Sequence, residues 1–176
     1  MQETPQQYTE RILGYLEGRD PLAVLGTTPG QLAALIDGVS KQRLAQRPAP
    51  DKWSVTEILA HLADSELVYG VRIRFIIAAS GSPIQATDQD EWSRMFEYAK
   101  QDPEDSLEAL RVARAQLVRL LKRLSRDRWE GCYGMHSERG RETVTRVVEL
   151  LAGHDLNHMK QIREQLSPAG PPRARS

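Results

Sequence analysis

The sequence is poor in cysteine: among its 176 residues there is one, Cys132. A single cysteine cannot form a disulfide within the chain, which excludes the disulfide-stapled secreted domains. The first residues also lack a basic segment followed by an apolar run, the pattern of a secretory signal. We therefore expect a cytoplasmic protein.

Long apolar runs and an excess charge of either sign are also missing. The most apolar segment, residues 67–79, contains Gly70, Arg72 and Arg74 and falls short of the roughly 18 apolar residues of a membrane span. The 24 Lys and Arg residues balance the 24 Asp and Glu residues, whereas nucleic-acid binding needs a surplus of cations to neutralise phosphates. These features disfavour a membrane or nucleic-acid partner and leave a small-molecule substrate as the expected one.

Aromatic residues make up only 6% of the chain, and β-branched residues do not alternate with polar ones as they would in strands. Apolar residues instead recur three and four positions apart, which is typical of amphipathic helices. The pattern predicts an all-α fold with one short helix after Pro5 and four main helices. The main helices are predicted to begin near Thr28, Ser54, Asp102 and Thr143.

Two of these helix starts depend on the same signal. Ser54 and Glu57 have the spacing of a capping box, in which each side chain bonds the other residue's backbone N–H, and the helix should run to about residue 80. Thr28 opens a second pattern of this kind, with Pro29 at the first helical position, where a missing N–H is harmless.

The connections between the helices define the topology. Residues 81–101 are polar and predict a long crossover that contains one short helix, and residues 128–142 carry three glycines and predict a loop. We predict a single domain, residues 1–166, folded as a four-helix bundle with a long crossover between the second and third main helices. Residues 167–176 hold three prolines and a glycine and are predicted to form a disordered tail.

Two histidines in the last helix, His154 and His158, are four residues apart and therefore lie on one face of it. At about 100° of rotation per residue they share an arc of roughly 80° with Val147 and Leu151, so both imidazoles should point into the bundle. Burying two polar rings without partners costs on the order of 1 to 3 kcal/mol each, and a shared metal ion would satisfy both. The alternative is a chance pair in which each ring bonds a carbonyl or a carboxylate.

His61, in the second main helix, supplies a third candidate ligand. It lies roughly 10 Å from the start of its helix, whereas His154 and His158 lie roughly 12 to 18 Å from the end of theirs. Antiparallel packing of the two helices would bring the three imidazoles nearly level. Three neutral imidazoles suit Zn²⁺ or Ni²⁺ and leave coordination positions open, as in catalytic metal sites.

The segments that carry these histidines resemble the DinB-like superfamily. They are residues 52–66, with the run KWSVTEILAHLADSE, and residues 153–162, with the run GHDLNHMKQI. The superfamily includes YfiT-type metal-dependent hydrolases and the bacillithiol and mycothiol transferases. The resemblance implies a four-helix bundle with a divalent metal, nickel or zinc, held by His61, His154 and His158. It also implies a low-molecular-weight thiol as cosubstrate and a homodimer.

Other polar residues are candidates for the same site. Asp155 should face inward beside the ligands, as an orienting group or a base, and His136 precedes the last helix as a candidate proton shuttle or a packing residue. Glu66 falls on the buried face of its helix and predicts a structural ion pair. Arg72 and Arg74 are candidates for holding a carboxylate-bearing thiol or a neighbouring helix, with a solvated surface position as the alternative.

We therefore hypothesise a metal-dependent thiol S-transferase that acts on a small electrophile at the three-histidine site. A hydrolase that uses a metal-activated water is the second hypothesis, with Asp155 or His136 as proton acceptor. The third is a non-catalytic, metal-stabilised dimeric module induced under stress. Turnover without a thiol would distinguish the second from the first, and metal-dependent stability without turnover would indicate the third.

Overall fold

The computed structural model describes residues 4–167, and most of them are helical. Four long helices form the bundle: α2 (Pro21–Ile36), α4 (Val55–Ala78), α6 (Pro103–Leu121) and α8 (Val144–Leu166). The shorter helices are α1 (Pro5–Gly14), α3 (Lys41–Leu44), α5 (Gln89–Met95), α7 (Arg126–Gly131) and a 3₁₀ turn, Tyr98–Lys100. The three strands are β1 (Ser82–Ile84), β2 (Tyr133–His136) and β3 (Gly140–Thr143). The predicted disordered tail lies outside the described residues apart from Ser167. Within residues 4–167, no helix is both long and apolar enough to cross a bilayer.

The long helices surround one core in which α2 and α4 each pack against both α6 and α8. Two apolar layers show how α4 and α8 run. The end of α4, at Ile76, packs with the start of α8, at Val147, whereas the start of α4, at Ile58, packs with the end of α8, at Ile162. These two helices are therefore antiparallel, which is the packing predicted to bring the three imidazoles to the same height in the bundle.

The same layers explain the long crossover. Leu121, at the end of α6, lies in the layer that holds the end of α4, and Leu110 lies in the layer that holds its start. Because α4 and α6 are parallel neighbours, the chain must return along the whole bundle between them, which residues 79–102 do. The predicted four-helix bundle with a long crossover between its second and third main helices is confirmed.

The predicted capping box begins α4. Ser54 Oγ accepts a hydrogen bond from Glu57 N at 3.3 Å, and Glu57 Oε2 accepts one from Ser54 N at 2.9 Å. Asp102 and Thr143 cap α6 and α8, each with its side-chain oxygen accepting from an amide of the first turn. Three of the four predicted helix starts therefore lie where the sequence places them.

The fourth predicted start was wrong: α2 begins at Pro21, capped by Asp20, and continues through Thr28 and Pro29. The reason is that the carbonyl left without its usual donor by Pro29 has another partner. A proline has no N–H to give to the residue four positions earlier, which here is Leu25. Arg114 Nη1 donates to Leu25 O at 3.2 Å and so replaces the missing helical bond.

The connections contain a small sheet that the periodicity of the sequence did not predict. Strand β2 pairs with β1 in parallel and with β3 antiparallel, and Gly140, at a φ of 75°, makes the turn between β2 and β3. Strands of three or four residues are too short to show alternation in a sequence. A side chain at Gly134 would come within 2.6 Å of Ile84, so glycine allows the sheet to pack closely. The sheet places His136 and the following turn beside the bundle.

Candidate metal centre

The three predicted ligands meet between α4 and α8. His61 Nε2 lies 2.9 Å from His154 Nε2, and His158 Nε2 lies 3.1 Å from the same atom. One nitrogen from each ring lies within 4.8 Å of the other two, and all three side chains are buried. The structure thus brings together three residues that are up to 97 positions apart in the chain, from His61 to His158.

This arrangement fits a divalent metal better than it fits a set of hydrogen bonds. Metal–nitrogen distances of about 2.0 to 2.1 Å give nitrogen–nitrogen separations of about 2.9 Å at right angles and about 3.3 Å in a tetrahedron. The two measured separations fall in this range. Hydrogen bonds alone fit less well, because His154 Nε2 would have to accept from both neighbouring rings, and His158 Nδ1 would then be left without a proton to donate to Gln161 Oε1.

The surroundings of the imidazoles keep them neutral. Burial lowers the pKa of His61 and of His154 well below 6.5, and the neighbouring imidazoles lower both further. Burial also lowers the pKa of His158 to about 4, although Gln161 and Asp155 oppose this shift. A metal binds the unprotonated nitrogen. The site therefore offers three free lone pairs at neutral pH without first having to lose a proton.

Aromatic side chains pack against two of the three imidazole rings. The indole of Trp53, just before α4, lies 4.8 Å from the His61 ring and 6.3 Å from the His158 ring, and it is nearly parallel to the second. Tyr98 lies 6.5 Å from His61 and donates its hydroxyl to Asp64 Oδ2 at 2.7 Å. On the other side, His158 Nδ1 is 2.8 Å from Gln161 Oε1. With Nδ1 as the donor in that bond, His158 Nε2 is left free to bind a metal.

Asp155 lies next to His154 in the chain but points into the core. Its carboxylate accepts from Arg114 Nη1 at 2.5 Å and from Nη2 at 3.2 Å. Arg114 Nε also donates to Glu66 Oε2 at 2.7 Å, so the expected ion pair of Glu66 is present. Burial alone would lower the pKa of Arg114, but the two carboxylates raise it above its ordinary value. The structure thus places Asp155 on an arginine and not on an imidazole, and its catalytic role stays a prediction.

Two of the three predicted ligands, His61 and His154, line a cleft of about 290 Å³, and His158 lies outside it. Its walls come from α1, from the face of α4 that carries Ser65, Tyr69 and Arg72, from the crossover and from the β2–β3 turn. Ser65 Oγ lies 3.4 Å from His61 Nε2. Such a cleft admits a small molecule to the exposed side of the metal site.

His136 lines this cleft but is held by its own turn. Its Nδ1 accepts hydrogen bonds from the backbone N–H groups of Glu138, at 3.1 Å, and Arg139, at 3.4 Å. The proton of the neutral ring must therefore be on Nε2, because Nδ1 is an acceptor. Burial lowers the pKa of His136, and Arg139 and Arg72 lower it further despite the carboxylate of Glu142. The ring is a hydrogen-bond donor in this state, and the predicted proton-shuttle role stays a prediction.

Sequence reasoning missed several residues of the site. Arg114 had a usable signal, because it lies between Leu110 and Leu117 on the buried stripe of its helix and so had to face inward. Tyr98 and Arg139 had no such signal, since the crossover and the β2–β3 turn bring them to the site only in three dimensions.

A four-helix bundle with three convergent imidazoles beside an open cleft defines a class of helical proteins with a candidate three-histidine metal site. The sequence profile of the DinB superfamily matches residues 25–162, and the chain belongs to this superfamily, as predicted. The sequence profile thus establishes the family, and the structure separately establishes the fold.

Individual relatives carry a common description. A Bacillus subtilis protein named "Putative metal-dependent hydrolase YfiT" is 22% identical over 143 residues, which are 81% of this chain and 80% of the relative. A protein of Oceanobacillus iheyensis with the same descriptive name is 23% identical over 146 residues, which are 83% of each chain.

A solved structure of YfiT shows the same fold. It is described as "a probable metal-dependent hydrolase with an unusual four-helix bundle topology". The TM-score is 0.72 at 19% identity, over 92% of this chain and 88% of that one. At this identity the likeness concerns the fold, and the metal dependence is stated of YfiT and its named relatives.

Proposed function

We propose that the protein is a metal-dependent enzyme that transfers a low-molecular-weight thiol to a small electrophile. The observation that carries the proposal is the set of three neutral imidazoles, two of which, His61 and His154, line an open cleft. Three protein ligands leave positions free for a substrate atom, as in catalytic metal sites. His61, His154 and His158 would hold the metal, and neutral nitrogen donors of this kind suit either Zn²⁺ or Ni²⁺.

A divalent metal at these imidazoles would supply positive charge that stabilises the thiolate form of a thiol near neutral pH. The role of the protein itself is to position the substrate and to exclude water. Trp53 and Tyr98 cover one side of the imidazoles, and the cleft admits the substrate from the other side. In the reaction, the sulfur–carbon bond forms while the leaving group of the electrophile departs with its electron pair, and the thiol proton goes to solvent.

The polar groups around the site favour thiol transfer over hydrolysis. Hydrolysis of an amide or ester needs a group that accepts a proton from water and passes it to the leaving group. Within residues 4–167, Asp155 and Glu66 are both bound to Arg114, and His136 Nδ1 accepts two backbone hydrogen bonds. A thiol is more acidic than water and makes a smaller demand for such a base.

Hydrolysis is the second candidate because the named relatives are described as metal-dependent hydrolases. In that reaction Glu138, an exposed residue at the edge of the cleft, or His136 would have to accept the proton. The two candidates share the metal site and differ in whether a thiol is consumed.

The experiment compares metal-free protein with protein loaded with Zn²⁺ or Ni²⁺. Each sample is assayed with a panel of thiols and monochlorobimane, and separately with ester and amide substrates without a thiol. We expect metal-dependent bimane adducts, no adducts above background with His154→Ala, and unchanged rates with Lys160→Ala, an exposed residue of the same helix. Equal rates with and without metal would refute the proposal. Thiol-free turnover would favour hydrolysis, and metal-dependent stability without any turnover would favour a non-catalytic module.

We also propose a homodimer. Leu67, Val71 and Phe75 lie four residues apart on α4, and each is more than half exposed, at 58%, 52% and 60%. An apolar stripe of this kind is typical of a surface that another molecule covers. Sedimentation velocity should give about twice the monomer mass, and Val71→Lys should give the monomer.

A further inference from the structure

One arginine in the cleft has no carboxylate paired with its positive charge. Arg72 follows His61 on the same face of α4, because eleven residues bring the helix back to within about 20° of its starting direction. Its guanidinium lines the cleft, is half-buried and lies 5.4 Å from the centre of the Tyr69 ring. Among residues 4–167 its one hydrogen bond goes from Nη2 to the backbone carbonyl of Gln85, and no carboxylate lies within ion-pair distance.

The neighbouring charges leave this guanidinium available. Arg139, the other arginine of the cleft, has its charge paired with Glu142, with Nε at 2.6 Å and Nη2 at 3.2 Å from the two carboxylate oxygens. Glu138 lies at the mouth, where it is exposed and solvent screens its charge. A guanidinium has five N–H donors, and Arg72 uses one of them on Gln85.

Arg72 also carries the usual penalty of a charge removed from water. Burial lowers its pKa, and the positive charge of Arg139 adds to this effect, whereas Tyr69 and the carboxylate of Glu142 oppose it. A half-buried guanidinium that lacks a carboxylate is costly unless a ligand supplies the anion. Arg74, two residues later, offers the contrast: it is exposed and its Nη1 donates to Gly70 O at 2.8 Å, on its own helix.

We propose that Arg72 is the specificity-determining residue of the cleft and binds a carboxylate group of the substrate, with the Nε2–H of His136 as a second donor. A carboxylate matches the planar fork of a guanidinium. A single uncompensated arginine also balances one negative charge, which favours a carboxylate over a doubly charged phosphate. This inference rests on the proposed function in that the carboxylate-bearing molecule is the thiol or its acceptor.

The position of Arg72 limits the shape of this substrate. Arg72 lies eleven residues after His61, which is about 16 Å along the axis of α4. The arginine side chain leans toward the helix N-terminus, so the guanidinium is closer to His61 than this distance. The carboxylate and the reacting atom must therefore be at opposite ends of a short chain. 6-Mercaptohexanoate has this shape, and 6-mercaptohexanol is its neutral counterpart.

The test measures binding and turnover separately. Calorimetry compares hexanoate with hexanamide on the full-length protein, and we expect wild type to bind the carboxylate at least tenfold more tightly. Arg72→Gln should remove this preference, Arg72→Lys should restore part of it, and Arg74→Gln should change the affinity for hexanoate by less than twofold. Circular dichroism melting shows whether each variant is folded, and the comparison of the two ligands on wild type needs no variant.

The thiol pair tests the same contact during turnover. With metal-loaded protein, Arg72→Gln should raise the KM for 6-mercaptohexanoate about tenfold and leave that for 6-mercaptohexanol unchanged. Equal binding of hexanoate and hexanamide by wild type, or equal effects of the Arg72 and Arg74 variants, would overturn the inference. Tighter Arg72-dependent binding of the corresponding phosphonate would overturn the choice of a carboxylate. If hexanoate binds as expected but no thiol is turned over, the proposed function fails and the anion site remains.

Discussion

Two polar clusters share helices α4 and α8, one closed and one open. In the closed cluster, Arg114 binds Glu66 and Asp155, and the side chains of all three are at most 2% exposed. In the open cluster, the Nε2 atoms of His61 and His158 lie 2.9 and 3.1 Å from the Nε2 atom of His154. In the first cluster the protein itself supplies the opposite charge, although Glu66 Oε1 has no hydrogen-bond partner within residues 4–167. The three neutral bases of the second cluster need a cation from outside. The difference shows that the chemistry of the donors, and not burial alone, separates a structural cluster from a binding site.

The two clusters meet at adjacent residues, His154 and Asp155. Successive residues of a helix point about 100° apart, so one side chain can face the cleft while the next faces the core. The closed cluster also binds Leu25 O, the carbonyl left free by Pro29, and so joins α2, α4, α6 and α8. We infer that it fixes the positions of the helices that carry the ligands.

The largest expected effect comes from removing the arginine of the closed cluster. Arg114→Met would leave two buried carboxylates and the Leu25 carbonyl without their partner, and we expect a loss of about 3 to 5 kcal/mol in the free energy of unfolding. Urea unfolding followed by circular dichroism measures it. Arg111→Met, on the same helix, removes an exposed pair with Glu108 and should cost less than about 1 kcal/mol. Similar losses in the two variants would show that the buried cluster is not structural.

The second prediction concerns the binding of a metal ion to the open cluster. Zn²⁺ or Ni²⁺ at a hundred times its Kd should raise the free energy of unfolding by about 2.7 kcal/mol, because the metal binds the folded state. His154→Ala should lose this gain, and Lys160→Ala, whose side chain is exposed, should keep it. Elemental analysis of the protein as purified identifies the metal. An equal gain in His154→Ala would show that the metal binds elsewhere.

The third prediction concerns the helix that covers the open cluster. A Cβ atom on Gly153 would lie 2.2 Å from Ile12 O, so Gly153→Ala must push α1 away from α8 next to His154. We expect a loss of about 1 to 3 kcal/mol in the free energy of unfolding, and weaker metal binding. Gly26 is also within a helix but has no atom within 4 Å of such a Cβ. Gly26→Ala should instead gain about 0.5 to 1 kcal/mol, and a loss there as large as at Gly153 would contradict the steric explanation.

The sequence predicted most of what local rules control. The capping box at Ser54, the caps at Asp102 and Thr143 and the helix stripes predicted three of the long helices, and the i, i+4 spacing with the antiparallel packing of α4 and α8 predicted the meeting of the three histidines. The start of α2 was wrong because the sequence pattern at Thr28 is local, whereas the partner that allows Pro29 inside the helix is Arg114, far along the chain.

The walls of the cleft could not be predicted for a similar reason. Arg72 and Arg139 come from α4 and from a turn between strands too short to recognise, and their meeting depends on how the small sheet packs. Arg72 and Arg74 look alike in the sequence, since they are two residues apart in one apolar segment. Only the packing shows that the first lines the cleft and the second bonds its own helix.

The fourth and smallest effect is a pH dependence of the open cluster without metal. The folded imidazoles have pKa values below the ordinary 6.5, and that of His158 is about 4. The unfolded chain therefore binds protons first as the pH falls through 6.5, and this destabilises the folded state; for His158 the effect continues down to about pH 4. Above pH 7 both states are neutral at these rings, so the free energy of unfolding of the metal-free protein should be flat there. Between pH 7 and 6 it should fall by less than about 1.4 kcal/mol per imidazole, and His158→Asn should show the shallower slope. A stability that rises as the pH falls would mean that the imidazoles take up protons in the folded state, and the open cluster could then not be a ready-made set of neutral ligands.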